Sequence, residues 1–334
     1  MNVFFEYINS LPKDIQIIIL THINPDPDAI ASVFLVKKIL DENRLNTTIL
    51  FPDPPSKVSK RILEKLNINW TSSVEIRRPY ALVVCDTSSS MLLGKNKTLL
   101  QNSAEILVID HHIPCGDICE KTTFKIVLQE PSTTTIVADI ARKSNIALGK
   151  KLSTLALCGI LFDTRRFAIS SPLTFKISAW LIEQGGDYNT ALSLLEEKTQ
   201  YSEKIARFKG IYRSSILEVC RYIIAVTEVS AFEASVARTL ISIGADVAIV
   251  IGGKKKEIRV SIRASKELLD KGFSASEIAK RVSKNIGGQG GGHKAAAGIN
   301  ILLKNKKDAN KLKSLLAKEL LNETIRTILD YCKE

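Results

Sequence analysis

The chain has 334 residues, 45% apolar and 25% charged, with a net charge of +12. That composition matches a soluble globular protein, and no apolar run reaches the roughly 20 residues of a membrane helix, which excludes a membrane-spanning helix. The charge is uneven: residues 191–334 hold 26 basic and 16 acidic side chains, residues 1–190 hold 21 and 19, so the second half invites an anionic ligand.

The length favours two domains. The opening segment MNVFFEYINSLPKDI lacks the basic and apolar stretches of a signal peptide, so a cytoplasmic location is expected. In chain order, Gln16–Thr21 reads as a strand, Asp28–Asn43 as a helix, Thr47–Phe51 as a strand and Lys57–Leu66 as a helix. Ala81–Cys85 and Ile106–Ile109 are further strands, and each stops at an acid, Asp86 and Asp110. Apolar β-branched runs of this kind are buried on both faces and imply a parallel α/β sheet, with ligands beyond the carboxyl ends of its strands. Helices follow at Ser132–Asn145, Leu152–Phe167 and Thr174–Gln184, and Ala191–Leu217 reads as a largely helical connector.

A second domain then begins near Arg221. Tyr222–Val229, Val247–Ile251, Glu257–Ala264 and Ile299–Leu303 are predicted strands, Ala231–Ile241 and Ser274–Lys284 helices, Gly287–Gly298 a glycine-rich loop, and Asp308–Tyr331 a long last helix.

All four histidines lie beside carboxylates or glycines. His22-Ile-Asn-Pro-Asp26-Pro-Asp28 offers one imidazole and two carboxylates just past a strand, a set that suits Mn²⁺, Mg²⁺ or Zn²⁺. An Asn-Pro-Asp turn with an Asp helix cap explains the same residues equally well. Asp110-His111-His112 at a strand end favours metal binding or catalysis, because buried charge needs partners. Asp86 and Asp163 are single acids in apolar surroundings. The run Gly287–Gly298, with His293 and Lys294, can place several backbone N–H groups against an anion. Arg259 and Arg263 share one face of a strand and could fork a phosphate, although an exposed basic face accounts for Arg259 as well. The cysteines at 85, 115, 119, 158, 220 and 332 read as reduced thiols, several in apolar surroundings, and Cys115 with Cys119 could form a metal pair, for which a lone CxxxC is weak evidence.

Five motifs in fixed order, HINPDPDAIAS, VVCDTS, VIDHH, GILFDTRRF and GGQGGGHKAAAG, resemble the DHH phosphoesterase superfamily with a DHHA1 C-terminal domain, over residues of about 15 to 305. The length and the GGGH-type loop resemble its NrnA-like branch of nanoRNases and pAp phosphatases. The resemblance implies an α/β DHH domain over 1–188, a helical connector over 189–218, a smaller mixed-sheet DHHA1 domain over 219–305, a C-terminal helix over 306–334, and an active site in the cleft between domains. It implies two Mn²⁺ ions, with Mg²⁺ or Co²⁺ as substitutes: His22 and Asp26 on one, Asp28, His111 and Asp163 on the other, and Asp86 bridging. Asp110 would support the imidazoles, His112 would serve the scissile phosphate, and Arg263, Gly290, Gly291, Gly292 and His293 would hold the substrate, with Arg259 beside them. Pro27 and Ala31 stand where many members have Gly.

The implied activity is hydrolysis of short RNA or DNA oligonucleotides, and of pAp, to mononucleotides. A RecJ-like exonuclease, a cyclic-dinucleotide phosphodiesterase, a manganese pyrophosphatase and an inactive replication scaffold are the alternatives. The last helix is left between packing on its own domain and a homodimer contact.

Overall fold

The computed structural model describes residues 2–12, 14–196, 199–253, 257–303 and 309–332. It divides into two compact units, Met1–Glu197 and Lys198–Glu334. The first carries 21 basic and 21 acidic residues, the second 26 and 14, so the whole net charge belongs to the second unit.

The first unit runs α1 (Asn2–Ser10), β1 (Gln16–Leu20), α2 (Pro27–Glu42), β2 (Asn46–Leu50), α3 (Lys57–Lys65), β3 (Tyr80–Cys85), β4 (Ile106–Asp110), β5 (Phe124–Val127), α4 (Thr133–Lys143), α5 (Gly149–Asp163), α6 (Pro172–Glu183) and α7 (Tyr188–Leu195), with 3₁₀ turns at Ser90–Gln101 and Asp117–Glu120. Its sheet has the order β2-β1-β3-β4-β5, parallel throughout. Every residue of β1, β3 and β4 is buried, as strands covered on both faces must be. The two-residue side-chain period separates them: Ile17, Ile19, Val83 and Ile109 enter one core, while Ile18, Leu20, Val84 and Val108 enter the other.

The second unit runs α8 (Tyr201–Tyr212), β6 (Ser215–Val219), β7 (Tyr222–Glu228), α9 (Glu233–Ser242), β8 (Val247–Gly252), β9 (Glu257–Ala264), α10 (Lys266–Asp270), α11 (Ala275–Ile286), β10 (Gln289–His293), β11 (Ala296–Leu302) and α12 (Ala309–Tyr331). Its mixed sheet has the order β10-β11-β9-β8-β7-β6, with β7 and β8 the parallel pair. Burial alternates along β9, placing Arg259, Ser261 and Arg263 on its more open face. Leu316, Leu320 and Ile328 of α12 are wholly buried in this unit's core, so the last helix packs on its own domain. Residues 304–308 and 333–334, at the edges of the expected last helix, lie outside the described residues.

Three expectations are corrected. The connector is helical only to Tyr212; Ser215–Val219 is an edge strand, mostly exposed and therefore without an alternating pattern to reveal it. The glycine run is no open loop: Gln289–His293 pairs antiparallel with Ala296–Leu302 as a hairpin. Cys115 with Cys119, and Cys220 with Cys332, are disulfides, whereas Cys85 and Cys158 are the buried free thiols. The second pair is 112 residues apart, so spacing carries no signal of it.

Candidate metal centre

The carboxyl ends of β1, β3 and β4 deliver the acids and imidazoles of the first unit. Beyond β1, Asp26 caps α2, its Oδ1 accepting the Asp28 and Ala29 N–H groups at 3.0 Å each. This is the helix-cap role that competed with metal ligation in the sequence, and its other oxygen is not used by it. Asp86 follows β3 in a left-handed conformation (φ 60°), with its N–H given to the Ile109 carbonyl. A non-glycine residue there is strained, and Asp tolerates it better than most. Asp110 ends β4, and Asp163 ends α5.

These residues converge. His22 Nε2 lies 3.5 Å from one oxygen of Asp86, and His111 Nε2 lies 3.5 Å from the other and 3.3 Å from Asp163. His22, Asp26 and Asp86 form one group of potential ligand atoms; Asp28, Asp86, His111 and Asp163 form a second, and Asp86, His111 and His112 a third, each set within 4.8 Å. Asp86 belongs to all of them, and the first two share no other residue. His22 Nδ1 donates to the Ile23 carbonyl and His111 Nδ1 to the Glu130 carbonyl, at 2.8 and 3.0 Å. Each ring therefore has its N–H spoken for and turns Nε2 toward carboxylates; that of His111 is buried without a hydrogen-bond partner. Second-side hydrogen bonds to a carbonyl are how ligating imidazoles are commonly oriented.

Electrostatics point the same way. Burial, then the charges of Asp28 and Asp26, push the Asp86 carboxyl well above the usual range. Burial, then Asp28 and Asp86, push Asp163 up to about 9. Burial also raises Asp28, against the pull of His111. Three acids that resist shared ionisation, beside an orphaned imidazole nitrogen, are a donor set that divalent cations fit.

Asp110 and His112 are arranged differently. Asp110 is wholly buried and its Oδ1 accepts from the N–H groups of His111 and His112 and from His112 Nδ1, at 2.8, 3.2 and 2.8 Å. Burial opposes its charge, but the His112 hydrogen bonds outweigh that and hold the carboxyl below its ordinary value. The same bond raises His112, whose side chain is 61% exposed. A pocket of about 460 Å³ opens here, lined by His22, Asp26, Asp86, Asp110, His112 and Asp163 together with Thr87, Ser88 and Ser89.

The DHH family N-terminal domain matches residues 16–160 and the DHHA1 domain residues 226–325. The chain belongs to the DHH family. Members of the family are metal-dependent phosphoesterases. A relative from Methanocaldococcus jannaschii, an uncharacterized protein, is 32% identical over 98% of both chains. A protein of Streptococcus mutans named a probable bifunctional oligoribonuclease and PAP phosphatase is 26% identical, covering 90% of this chain and 94% of its own. The crystal structure of an exopolyphosphatase-related protein from Bacteroides fragilis shares the fold, with a TM-score of 0.58, 16% identity and 95% of each chain covered.

In this DHH protein the DHHA1 unit has a second pocket, of about 350 Å³, lined by Arg259, Arg263, Gly291, Gly292 and Gly298 among others. Arg259 is held by Glu233 at 3.3 Å, while Arg263 has no carboxylate partner among the described residues, and burial, then Arg238, lower its pKa. A Cβ on Gly291 would meet nothing within 4 Å, so its bare backbone faces open space. A Cβ on Gly290 would meet the Ala279 carbonyl at 2.3 Å, so that glycine lets β10 pack against α11. His293 is exposed at the hairpin end and does not line this pocket.

The sequence missed Thr133 and Thr134. Their N–H groups, at the start of α4, donate to the two oxygens of Asp28 at 2.7 and 3.0 Å, and Thr133 Oγ1 donates to Asp86 at 2.9 Å. A helix N-terminus thus faces the acids and offsets their charge. Pro131 and the Ser-Thr-Thr-Thr run after it mark a helix start, but nothing in them names the partner 105 residues away.

Proposed function

We propose that this protein is a two-metal phosphodiesterase that hydrolyses short oligonucleotides of the pApA type, and pAp, to mononucleotides. The observation that carries the reading is Asp86, one carboxylate common to two groups of ligand atoms. His22 and Asp26 would hold one ion, Asp28, His111 and Asp163 the other, and Asp86 both; Mn²⁺ suits this mixed imidazole and carboxylate set. When bound, such a pair supplies an activated water and offsets the charge on the phosphate oxygens.

The chain's own residues do the rest. Thr133 and the Glu130 carbonyl fix Asp86 and His111 before substrate arrives. Asp110 fixes His112, which lines the open pocket, and its charge favours a protonated imidazole to serve the leaving sugar oxygen. The domain roles follow: the first unit carries the chemistry and the second, from α8 onward, binds substrate, with Arg259, Arg263, Gly291 and Gly292 lining the pocket and Gly290 and His293 beside them in β10. The basic balance of the second unit and the 26% identity to the Streptococcus mutans protein support a nucleotide substrate.

A panel of pAp, pApA, RNA and DNA of two to about twenty nucleotides, cyclic dinucleotides and pyrophosphate, with Mn²⁺, Mg²⁺, Co²⁺ or chelator, tests it. Metal-dependent cleavage that is fastest on di- to pentanucleotides is expected. Preference for pyrophosphate or for the longest strands overturns the reading.

A further inference from the structure

The segment after Asp163 is built at a cost in backbone conformation. Arg165, Arg166 and Phe167 are consecutive residues with φ of 50°, 58° and 68°. The first two hydrogen bonds of the turn, Arg165 N–H to the Phe162 carbonyl and Arg166 N–H to that of Leu161, at 3.1 and 2.8 Å, close α5 in the manner that normally recruits glycine at position 165. Left-handed backbone is unfavourable for L-residues, and a run of three persists only where the surroundings dictate it.

The surroundings here are specific. Thr164 is wholly buried, and its Oγ1 accepts the Phe167 N–H at 3.0 Å. The Phe167 ring packs 5.3 Å from Phe175 and stacks on Tyr188. Both ends of the turn are tied to the metal centre: Asp163 is part of it, and Ser171 Oγ donates to the Glu130 carboxylate at 2.5 Å, while the Glu130 carbonyl accepts from His111. Between these anchors Arg165 and Arg166 are exposed and have no carboxylate partner among the described residues.

We propose that Arg165 and Arg166 form a phosphate-binding crest that takes a second phosphate of the substrate, the one that is not cleaved, such as the terminal phosphate of a dinucleotide. The proposal rests on the phosphodiesterase reading. Guanidinium groups match phosphate oxygens in a two-pronged fork, and a rigid turn presents them at little entropic cost. They are positioning residues, acting on binding and not on the reacting bond.

The experiment compares pApA with ApA, which differ only in that phosphate, on the full chain and on Arg165→Gly, Arg166→Gln, Arg166→Lys and the double variant Arg165→Gly/Arg166→Gln. The wild-type chain should show a lower KM for pApA than for ApA. Each loss of an arginine should raise the pApA KM about tenfold, the effect of one charge-assisted hydrogen bond, with the ApA KM and both kcat values within about threefold of wild type. Arg165→Gly should also melt higher than wild type, because glycine relaxes the turn. Arg166→Lys should recover part of the loss. An unchanged pApA KM in the double variant, or equal losses for both substrates, overturns the crest. If wild type cleaves neither dinucleotide, the proposed function fails; calorimetric binding of the same two compounds then tests the crest on its own, and equal affinities in wild type overturn it.

Discussion

Asp86→Asn should make the metal-free protein more stable while removing its response to metal. Asp86 is 3% exposed, and its oxygens fall within 4.8 Å of the other candidate ligand atoms. Two like charges at that distance repel by about 3 kcal/mol at an effective dielectric of about 20. Part of this is already relieved by proton uptake among the acids, so a gain of roughly 1–3 kcal/mol is expected from the neutral amide. The left-handed φ of 60° suits Asn as well as Asp, and Asn Oδ1 can still accept from Thr133, so little else changes. For a unit of this size each kcal/mol is roughly 2–4 °C in melting temperature.

The assay is thermal unfolding by circular dichroism at pH 7.5, in chelator and then in Mn²⁺. Wild type should rise with Mn²⁺, by about 2.7 kcal/mol at a hundredfold excess over Kd. The variant should start higher and rise little. A variant that melts below wild type in chelator, or that gains as much from Mn²⁺, refutes the reasoning.

The metal-free protein should lose stability as pH rises from about 4 toward 9: Asp163 is pushed up to about 9, the native state then holds a proton that the unfolded state has released, and the slope of stability with pH is negative. Saturating Mn²⁺ should flatten or reverse that slope in pH-dependent melts, since ligands bind deprotonated. Asp110→Asn should lower kcat on pApA about 100-fold or more with a small change in KM, and should move the alkaline limb of the kcat profile to lower pH, because His112 loses the carboxylate that raises it. In the second unit, Gly290→Ala should cost roughly 1–3 kcal/mol by forcing a Cβ onto the Ala279 carbonyl, whereas Gly291→Ala should leave the melt unchanged and raise KM.

The parts of this molecule that could be read from its sequence are those with a local rule. Runs such as ALVVC before Asp86 and ILVI before Asp110 are buried on both faces, so uninterrupted apolar character identified β3 and β4 and the acids at their ends. Features set by distant partners were hidden. β10 is a strand of three consecutive glycines, contrary to every strand preference, because α11 lies too close to admit a side chain at Gly290. β6 and β5 are short edges with little burial pattern. The left-handed turn at 165–167 contains no glycine to announce it. Thr133 became a neighbour of Asp28 and Asp86 only when α4 docked its first turn against the start of α2 and the residue that follows β3.

Asp28 has both oxygens engaged by the first turn of α4 and lies among the metal-facing atoms as well. A substitution there removes an anchor between two helices and a donor for a cation in one stroke. Activity lost in Asp28→Ala would therefore be ambiguous between a broken scaffold and an empty coordination position. Asp163, which has no such second duty among the hydrogen bonds of the described residues, is the cleaner residue on which to separate folding from chemistry, and discordant results at the two positions would measure how much of the scaffold leans on its own ligands.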